Sequence, residues 1–282
     1  MGASKKDKKQ RRKNSLAARS DKHKLYEKSV QNVEAEIDFV DGIYSKLRRR
    51  KASTLREDFC GTAKAACEWV RRRRDNLAFG VDLDPDVLEW GRTHNLARLR
   101  AEQRERVRLV NGNVLRAATD PVDIVLAMNF SYWVFKERAT MKRYFRRIHA
   151  ALSDDGIFFL DGFGGYEAYQ ELRENTRHRK FTYVWEQERF NPISGEILCH
   201  IHFKFPDGSR MKRAFTYDWR LWSLPELTEL LTESGFSPVV YWEGTAKDGS
   251  GNGIFKPATS GEADAGWIAY IVATKQPRPP RN

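Results

Sequence analysis

Leu55-Arg56-Glu57-Asp58-Phe59-Cys60-Gly61-Thr62-Ala63 is the stretch on which the fold turns. A strand-like run over Thr54 to Asp58 passes through a small-residue turn into a helical pattern from Ala63 to Arg74. Such a turn lets a ligand approach both the backbone and the helix N-terminus. The next strand-like run, Ala78 to Asp82, ends in Phe79-Gly80-Val81-Asp82-Leu83-Asp84, and Asp82 follows Glu57 by 25 positions. That is near the spacing at which an acidic residue meets the ribose hydroxyls of an adenosine cofactor. Two carboxylate oxygens suit two adjacent hydroxyls, and an ionised Asp accepts without having to donate.

Outward from this core the alternation continues. Strand-like runs at Val107 to Asn111, Asp123 to Met128 and Gly156 to Asp161 are interleaved with helical patterns at Pro85 to Leu99 and Ala139 to Leu152. The pattern predicts an α/β fold, doubly wound, with a mostly parallel seven-stranded sheet between helices. Near residue 180 the character changes. Phe181 to Phe190, Glu196 to Phe205 and Arg210 to Trp219 are β-prone and separated by turn signals at 191–195 and 206–209, which predicts an inserted antiparallel β-sheet over 181–222 as the substrate region. Ser223-Leu224-Pro225-Glu226 then opens a helix with a capping-box pattern. Strands at Ser237 to Trp242 and Gly266 to Thr274, around a Gly-rich loop from Asp248 to Gly253, complete the core over 223–275. Residues 276–282 read as a Pro/Arg tail.

Upstream, Tyr26, Val30, Val33, Ile37, Val40, Ile43, Tyr44 and Leu47 recur at steps of three and four. They predict one amphipathic helix, Leu25 to Leu47, covering one side of the cofactor cleft, so that 25–180 holds this helix and the cofactor-binding core. The net charge is +12, but residues 1–24 hold ten Lys/Arg and two Asp/Glu, leaving only +4 on the other 258. This segment reads as a disordered basic tail, either a solubilising extension or a weak contact for RNA or another polyanion. No apolar run approaches the roughly 20 residues needed to cross a bilayer, and no signal-peptide pattern opens the chain, so no membrane partner and a cytoplasmic location are expected. Three cysteines without metal-ligand spacing argue against both a disulfide framework and a metal site.

On these residues, Thr54 to Asp161 resembles the cofactor-binding core of the class I S-adenosylmethionine (SAM)-dependent methyltransferases, a Rossmann-like family. Its first motif is an acidic residue followed by a turn often written Gly-x-Gly-x-Gly. Glu57 matches the acidic position, Gly61 matches the central glycine, and Phe59 and Ala63 stand where the outer glycines would be. The resemblance implies SAM as cofactor, held by Glu57, Phe59, Cys60, Gly61, Asp82, Leu83, Asn113, Val114, Asn129 and Phe130. Asn111-Gly112-Asn113-Val114 falls on the adenine-contacting segment, where Asn113 has either that role or a plain turn role. Asn129 and Phe130 follow the fourth strand, beside the sulfonium; Phe130 equally suits packing of the strand-helix junction. A dinucleotide fold would want the missing glycines, and no Gly-Lys-Ser/Thr phosphate loop is present.

A methyl on a sulfonium is already activated, so the protein need only align an acceptor lone pair and, for some acceptors, remove a proton. No motif marks such a base. The candidates are Tyr132, Asp161 and His200, with Tyr166, His202 and Trp219 in the same regions. His200 and His202 share one face of a strand, where they line a substrate cavity or pack across strands; Asp161 alternatively caps the following loop. Tyr183, Trp185, Tyr217, Trp219 and Trp222 read as packing or as a substrate lid. The function expected is methyl transfer to O or N of a small-molecule acceptor. The alternatives are an RNA or protein methyltransferase recruited by the basic tail, and a non-catalytic SAM-fold binding protein.

Overall fold

The computed structural model describes residues 14–246 and 250–277. They form two compact units. One takes the chain up to Asn32 together with Tyr169–Leu221, and the other takes Val33–Ala168 with the chain from Trp222 onward. The strands in chain order are β1 (Thr54–Asp58), β2 (Leu77–Asp82), β3 (Val107–Asn111), β4 (Val122–Ala127), β5 (Leu152–Gly164), β6 (Leu172–Arg177), β7 (Thr182–Phe190), β8 (Glu196–Lys204), β9 (Arg210–Arg220), β10 (Phe236–Thr245), β11 (Gly251–Pro257) and β12 (Trp267–Lys275).

In the larger unit the sheet order is β11-β10-β12-β5-β4-β1-β2-β3. The run from β5 to β3 is parallel, and β12, β10 and β11 add antiparallel strands. The sheet is α/β and mostly parallel as expected, but it has eight strands where the sequence predicts seven. The extra one is β11, whose Gly251-Asn252-Gly253 start lies in the stretch read as a loop. Glycines contribute no apolar alternation, and this edge strand is specified by backbone pairing to β10.

β4 is buried along its whole length, as a central parallel strand must be. Helices pack on the sheet: Lys64–Arg72 buries Ala65, Ala66, Cys67, Trp69 and Val70, and Val33–Arg48 buries Val33, Ile37, Val40 and Tyr44. Helix Leu224–Thr232 carries the predicted capping box, with Glu226 N–H donating to Ser223 Oγ at 3.3 Å and Ser223 N–H donating to Glu226 Oε2 at 2.9 Å.

The smaller unit is the four-stranded antiparallel sheet β6-β7-β8-β9. β6 escapes the sequence reading because Leu172-Arg173-Glu174-Asn175-Thr176-Arg177 is polar after its first residue and almost wholly exposed. The unit therefore starts at Tyr169, before the predicted boundary at 181. Two further expectations are corrected here. Helices Leu16–Arg19 and Lys22–Ser29 begin inside the segment read as a tail, capped by Ser15 and Asp21; residues 1–13 of that tail lie outside the described residues. Leu25 also packs with Phe181, Ile201 and Phe203 of the small unit, whereas Val33, Ile37 and Val40 belong to the core of the large one. The single helix predicted over Leu25 to Leu47 is thus two, interrupted at residues 30–32. The apolar steps stay in phase across that short break, so the stripe looks continuous although its halves serve different cores. Among the described residues no helix is long and apolar enough to cross a membrane.

Candidate functional site

The chain runs β1, β2, β3 in one direction across the sheet and then β4, β5 in the other, so the topological switch lies between β1 and β4. Ligands of open α/β sheets bind beyond the carboxyl ends of the strands at that point. Asp58 pairs with Val81, Asp82 with Asn111 and Glu57 with Leu126, so the loops after β1, β2, β3 and β4 emerge along one edge.

The loop after β1 keeps a triple-glycine backbone with a single glycine. Phe59, Gly61 and Ala63 have φ of 57°, 52° and 55°, three left-handed residues at alternate positions. Each non-glycine one costs roughly 1–2 kcal/mol, and the surroundings hold it. Gly61 N–H donates to Asp82 Oδ2 at 2.7 Å, and Cys60 N–H donates to Val81 O at 3.0 Å. Asn95 Nδ2 donates to Thr62 O at 3.0 Å. The Phe59 ring lies against Phe135 and Tyr144, each 5.8 Å away between centroids. A Cβ on Gly91 would stand 2.7 Å from Thr62 O, so only glycine lets the Pro85–His94 helix come this close. Glu57 accepts from Ala66 N–H at 2.9 Å, tying β1 to the following helix, and burial pushes its carboxyl up to about 8. A Cβ on Gly61 would meet nothing within 4 Å, so here the backbone faces open space.

After β2, the carboxylate of Asp82 accepts from Gly61 N–H on one oxygen and from Asp84 N–H, at 3.0 Å, on the other. Leu83 is 69% exposed, and Asn111 Nδ2 donates to the carbonyls of Asp82 and Leu83 at 3.2 and 2.9 Å. After β3, Asn113 Oδ1 accepts from Leu115 N–H at 2.9 Å. Its oxygen thus serves a turn, while its amide nitrogen points no hydrogen bond at any described residue. Val114 is buried, and its carbonyl is reached by the buried Arg56.

After β4, Asn129 and Phe130 are consecutive left-handed residues, φ 58° and 56°. Both N–H groups donate to Asp161, at 2.7 and 2.9 Å, and burial pushes that carboxyl up to about 7. Four of the six described non-glycine residues with positive φ therefore sit in these two loops, and such strain concentrates at functional sites. Phe130 packs on Phe163 and Trp133, 4.8 and 5.5 Å between ring centroids. Glu36, on the Val33–Arg48 helix, is a further carboxylate close enough to raise both Glu57 and Asp161. Nothing in the sequence singles it out, since it lies far from every motif.

The structure thus gathers Glu57, Phe59, Cys60, Gly61, Asp82, Leu83, Asn113, Val114, Asn129 and Phe130 on the switch-point edge. Of the three base candidates, Asp161 lies on the same edge. Tyr132 is fully buried and its hydroxyl donates to Asp161 O at 2.6 Å. Asp161 is occupied by two backbone N–H groups. His200 belongs to the smaller unit, buried, with Nδ1 2.9 Å from Thr216 Oγ1 and Nε2 2.9 Å from Glu188.

An open sheet of this order with a Gly61–Asp82 grip at the switch point defines a Rossmann-like methyltransferase fold. Residues 58–160 match the family model described as a methyltransferase domain. No curated protein matches the sequence. Among solved structures, a SAM-dependent methyltransferase from Clostridium acetobutylicum superposes with a TM-score of 0.69 at 14% identity, over 90% of this chain and 98% of that one. CalS10 from Micromonospora echinaspora, an amino pentose methyltransferase solved with SAM bound, gives 0.65 at 16% identity over 90% and 96%. KedS8 from Streptoalloteichus sp., a sugar N-methyltransferase, gives 0.61 at 16% over 92% and 94%. At such identities the likeness is one of fold. Residues 58–160 thus match a methyltransferase domain, and the chain shares its fold with SAM-dependent methyltransferases.

Proposed function

We propose that the chain binds SAM along the switch-point edge and transfers its methyl group to oxygen or nitrogen of a small-molecule acceptor. The observation that carries the reading is the Phe59-Gly61-Ala63 backbone, open at Gly61 and locked to Asp82. Solved neighbours described as amino pentose and sugar N-methyltransferases favour an amine on a small glycosidic acceptor.

The residues present fit the cofactor. Asp82 retains lone pairs for two ribose hydroxyls, the exposed Leu83 side chain offers an apolar face to adenine, and the Asn113 amide nitrogen is a donor for its edge. Glu57, Asp161 and Glu36 place carboxylates where a cation is to be held. When bound, SAM supplies a methyl already activated by its sulfonium. The negative surroundings favour that cation over the neutral thioether left after transfer. Asp161 acts as a positioning residue, holding Asn129 and Phe130 in their left-handed turn. An amine presented neutral needs alignment more than a base, in keeping with a Tyr132 hydroxyl committed to the backbone.

Calorimetric titration with SAM tests this. Wild type is expected to bind, and Asp82→Ala is expected to bind about a hundredfold more weakly; no heat with wild type would remove the reading, and equal affinity in the variant would remove the ribose assignment. Gly61→Ala separates binding from folding. Its φ of 52° costs an Ala roughly 1 kcal/mol, a few degrees in Tm, because the new methyl meets no protein atom. SAM affinity is expected to fall at least tenfold, since that methyl enters the space left for the ligand. Parallel melting curves and titrations read the two effects.

A further inference from the structure

The antiparallel sheet of the smaller unit has one apolar face, built on Ile201 and Phe203, and one charged face. On the charged face the acidic residues are already matched. Glu186 pairs with Arg173 and lies 2.6 Å from His202 Nε2, and Glu188 pairs with Arg213 at 2.7 Å and with His200. Other cations are not. The register aligns Arg177 with Thr182, Thr182 with Lys204, and Lys204 with Arg210, a single row across all four strands at one end of the sheet. Arg179 and Lys180 fill the β6–β7 connection at the same end, and Lys212 follows on β9. None of these six has a carboxylate within ion-pairing distance among the described residues; Lys204 donates only to the neutral Asn175 Oδ1, at 2.8 Å. Like charges directly opposite each other, as at Lys204 and Arg210, destabilise a sheet, and an anion laid across them reverses that. Lys204, Arg210 and Lys212 line a cavity of about 440 Å³ on this face.

The helix Leu16–Arg19 meets the sheet at the same place. Leu16 N–H donates to Asp207 Oδ2 at 2.7 Å and Ala17 N–H to Ser209 Oγ at 3.0 Å, so the chain joins the sheet at the turn between the strands carrying Lys204 and Arg210. Asp207, the acidic residue of that turn, is taken up by this contact and by Ser209.

We propose that this end of the sheet binds the phosphodiester backbone of single-stranded nucleic acid. Four strands at about 4.8 Å spacing make a cationic row about 14 Å wide, which suits successive phosphates better than a single one. The contacts address phosphates, so they position a strand without reading its bases.

The test uses the full chain and fluorescence anisotropy with 20-nucleotide RNA and DNA of mixed sequence, titrated from 50 to 200 mM salt. Both strands are expected to bind, with log affinity falling linearly in log salt. The triple variant K204A/R210A/K212A is expected to bind at least tenfold more weakly at 50 mM, with a salt slope shallower by about 2, since each lost phosphate contact removes about 0.7. The pair R179A/K180A, in a turn where folding is not at stake, is expected to lose severalfold. Wild-type affinity in both variants would overturn the proposal, as would an absence of salt-dependent binding in wild type. So would one-to-one binding of inorganic pyrophosphate without oligonucleotide binding, which would assign the row to a small phosphorylated molecule. All titrations are read without SAM, and far-UV circular dichroism and melting curves matching wild type show that the variants are folded. The result is thus independent of the methyl-transfer reading.

Discussion

Arg56→Ala is expected to lower stability by about 3–5 kcal/mol and Tm by roughly 10 °C. Arg56 and Asp58 lie two residues apart on β1, and their side chains are 2% and 0% exposed. Arg56 Nε donates to Asp58 Oδ1 at 2.7 Å, and Tyr144 Oη donates to the other carboxylate oxygen at 2.9 Å. The remaining guanidinium nitrogens donate to Ala117 O at 3.1 Å and Val114 O at 3.4 Å. Removing Arg56 leaves a buried carboxylate with one neutral partner, and one buried and one half-buried carbonyl with one donor fewer. Burial already pushes the Asp58 carboxyl up, against the opposing pull of Arg56. In the variant it rises further, so the defect has a predictable pH dependence. The folded variant holds a proton that the unfolded chain releases near pH 4, and its stability falls as pH rises above that value. R56M/D58L removes the desolvation cost of both charges and is expected to recover more than half of the loss. Urea unfolding of the three proteins at pH 5 and pH 8 checks this. A single variant within 1 kcal/mol of wild type, or a double variant worse than the single, would contradict it. SAM affinity of the single variant is also expected to fall, because the guanidinium clamps the loop after β3.

That pair shows where the sequence could be read and where it could not. The motif around Glu57 and Gly61 was legible because its chemistry is local: a turn, a glycine and an acidic residue at a fixed distance. Asp58 sits inside the same motif, but its partner Tyr144 comes from the Arg138–Ala151 helix, and no local pattern joins them. The parallel core was legible because buried strands and amphipathic helices impose different periods. The break between Lys22–Ser29 and Val33–Arg48 was not, because period reports only that a face is buried and is silent on which core buries it. β6 and β11 are polar or glycine-rich edges, which backbone pairing specifies and side-chain pattern does not. The outer glycine positions give the subtlest case. Phe59 and Ala63 looked like departures from the motif, yet their backbones adopt the left-handed conformation that glycine would have supplied. Packing on Phe135 and Tyr144 and the Gly61–Asp82 hydrogen bond stand in for glycine's freedom.

Asp161→Ala is expected to weaken SAM binding at least a hundredfold, although Asp161 need not touch the cofactor. Its carboxylate is the acceptor for two consecutive N–H groups held in a conformation that Phe130 in particular avoids. Without it both donors lose their partner, at about 1–3 kcal/mol each when buried, and the turn relaxes out of register with the site. Asp161→Asn does not rescue, because one of its two side-chain atoms is a donor facing a donor. The same carboxylate gives the binding a pH signature. In the free protein Asp161 and Glu57 are pushed up to about 7 and about 8, so near neutrality each holds its proton for part of the time. A cation bound beside them favours the ionised forms, so SAM affinity rises from pH 6 to pH 8.5, and protons are released on binding. Stability of the free chain moves the opposite way. Both carboxyls bind protons more tightly folded than unfolded, so their contribution is complete below about pH 4 and is lost as pH rises through 7 and 8. Added SAM therefore stabilises the chain more at pH 8 than at pH 6. Calorimetry in buffers of different ionisation heat counts the released protons, and Asp161→Asn is expected to remove the lower of the two steps. Affinity that stays flat across this range would mean that the carboxylates of the switch-point edge do not face the bound cation.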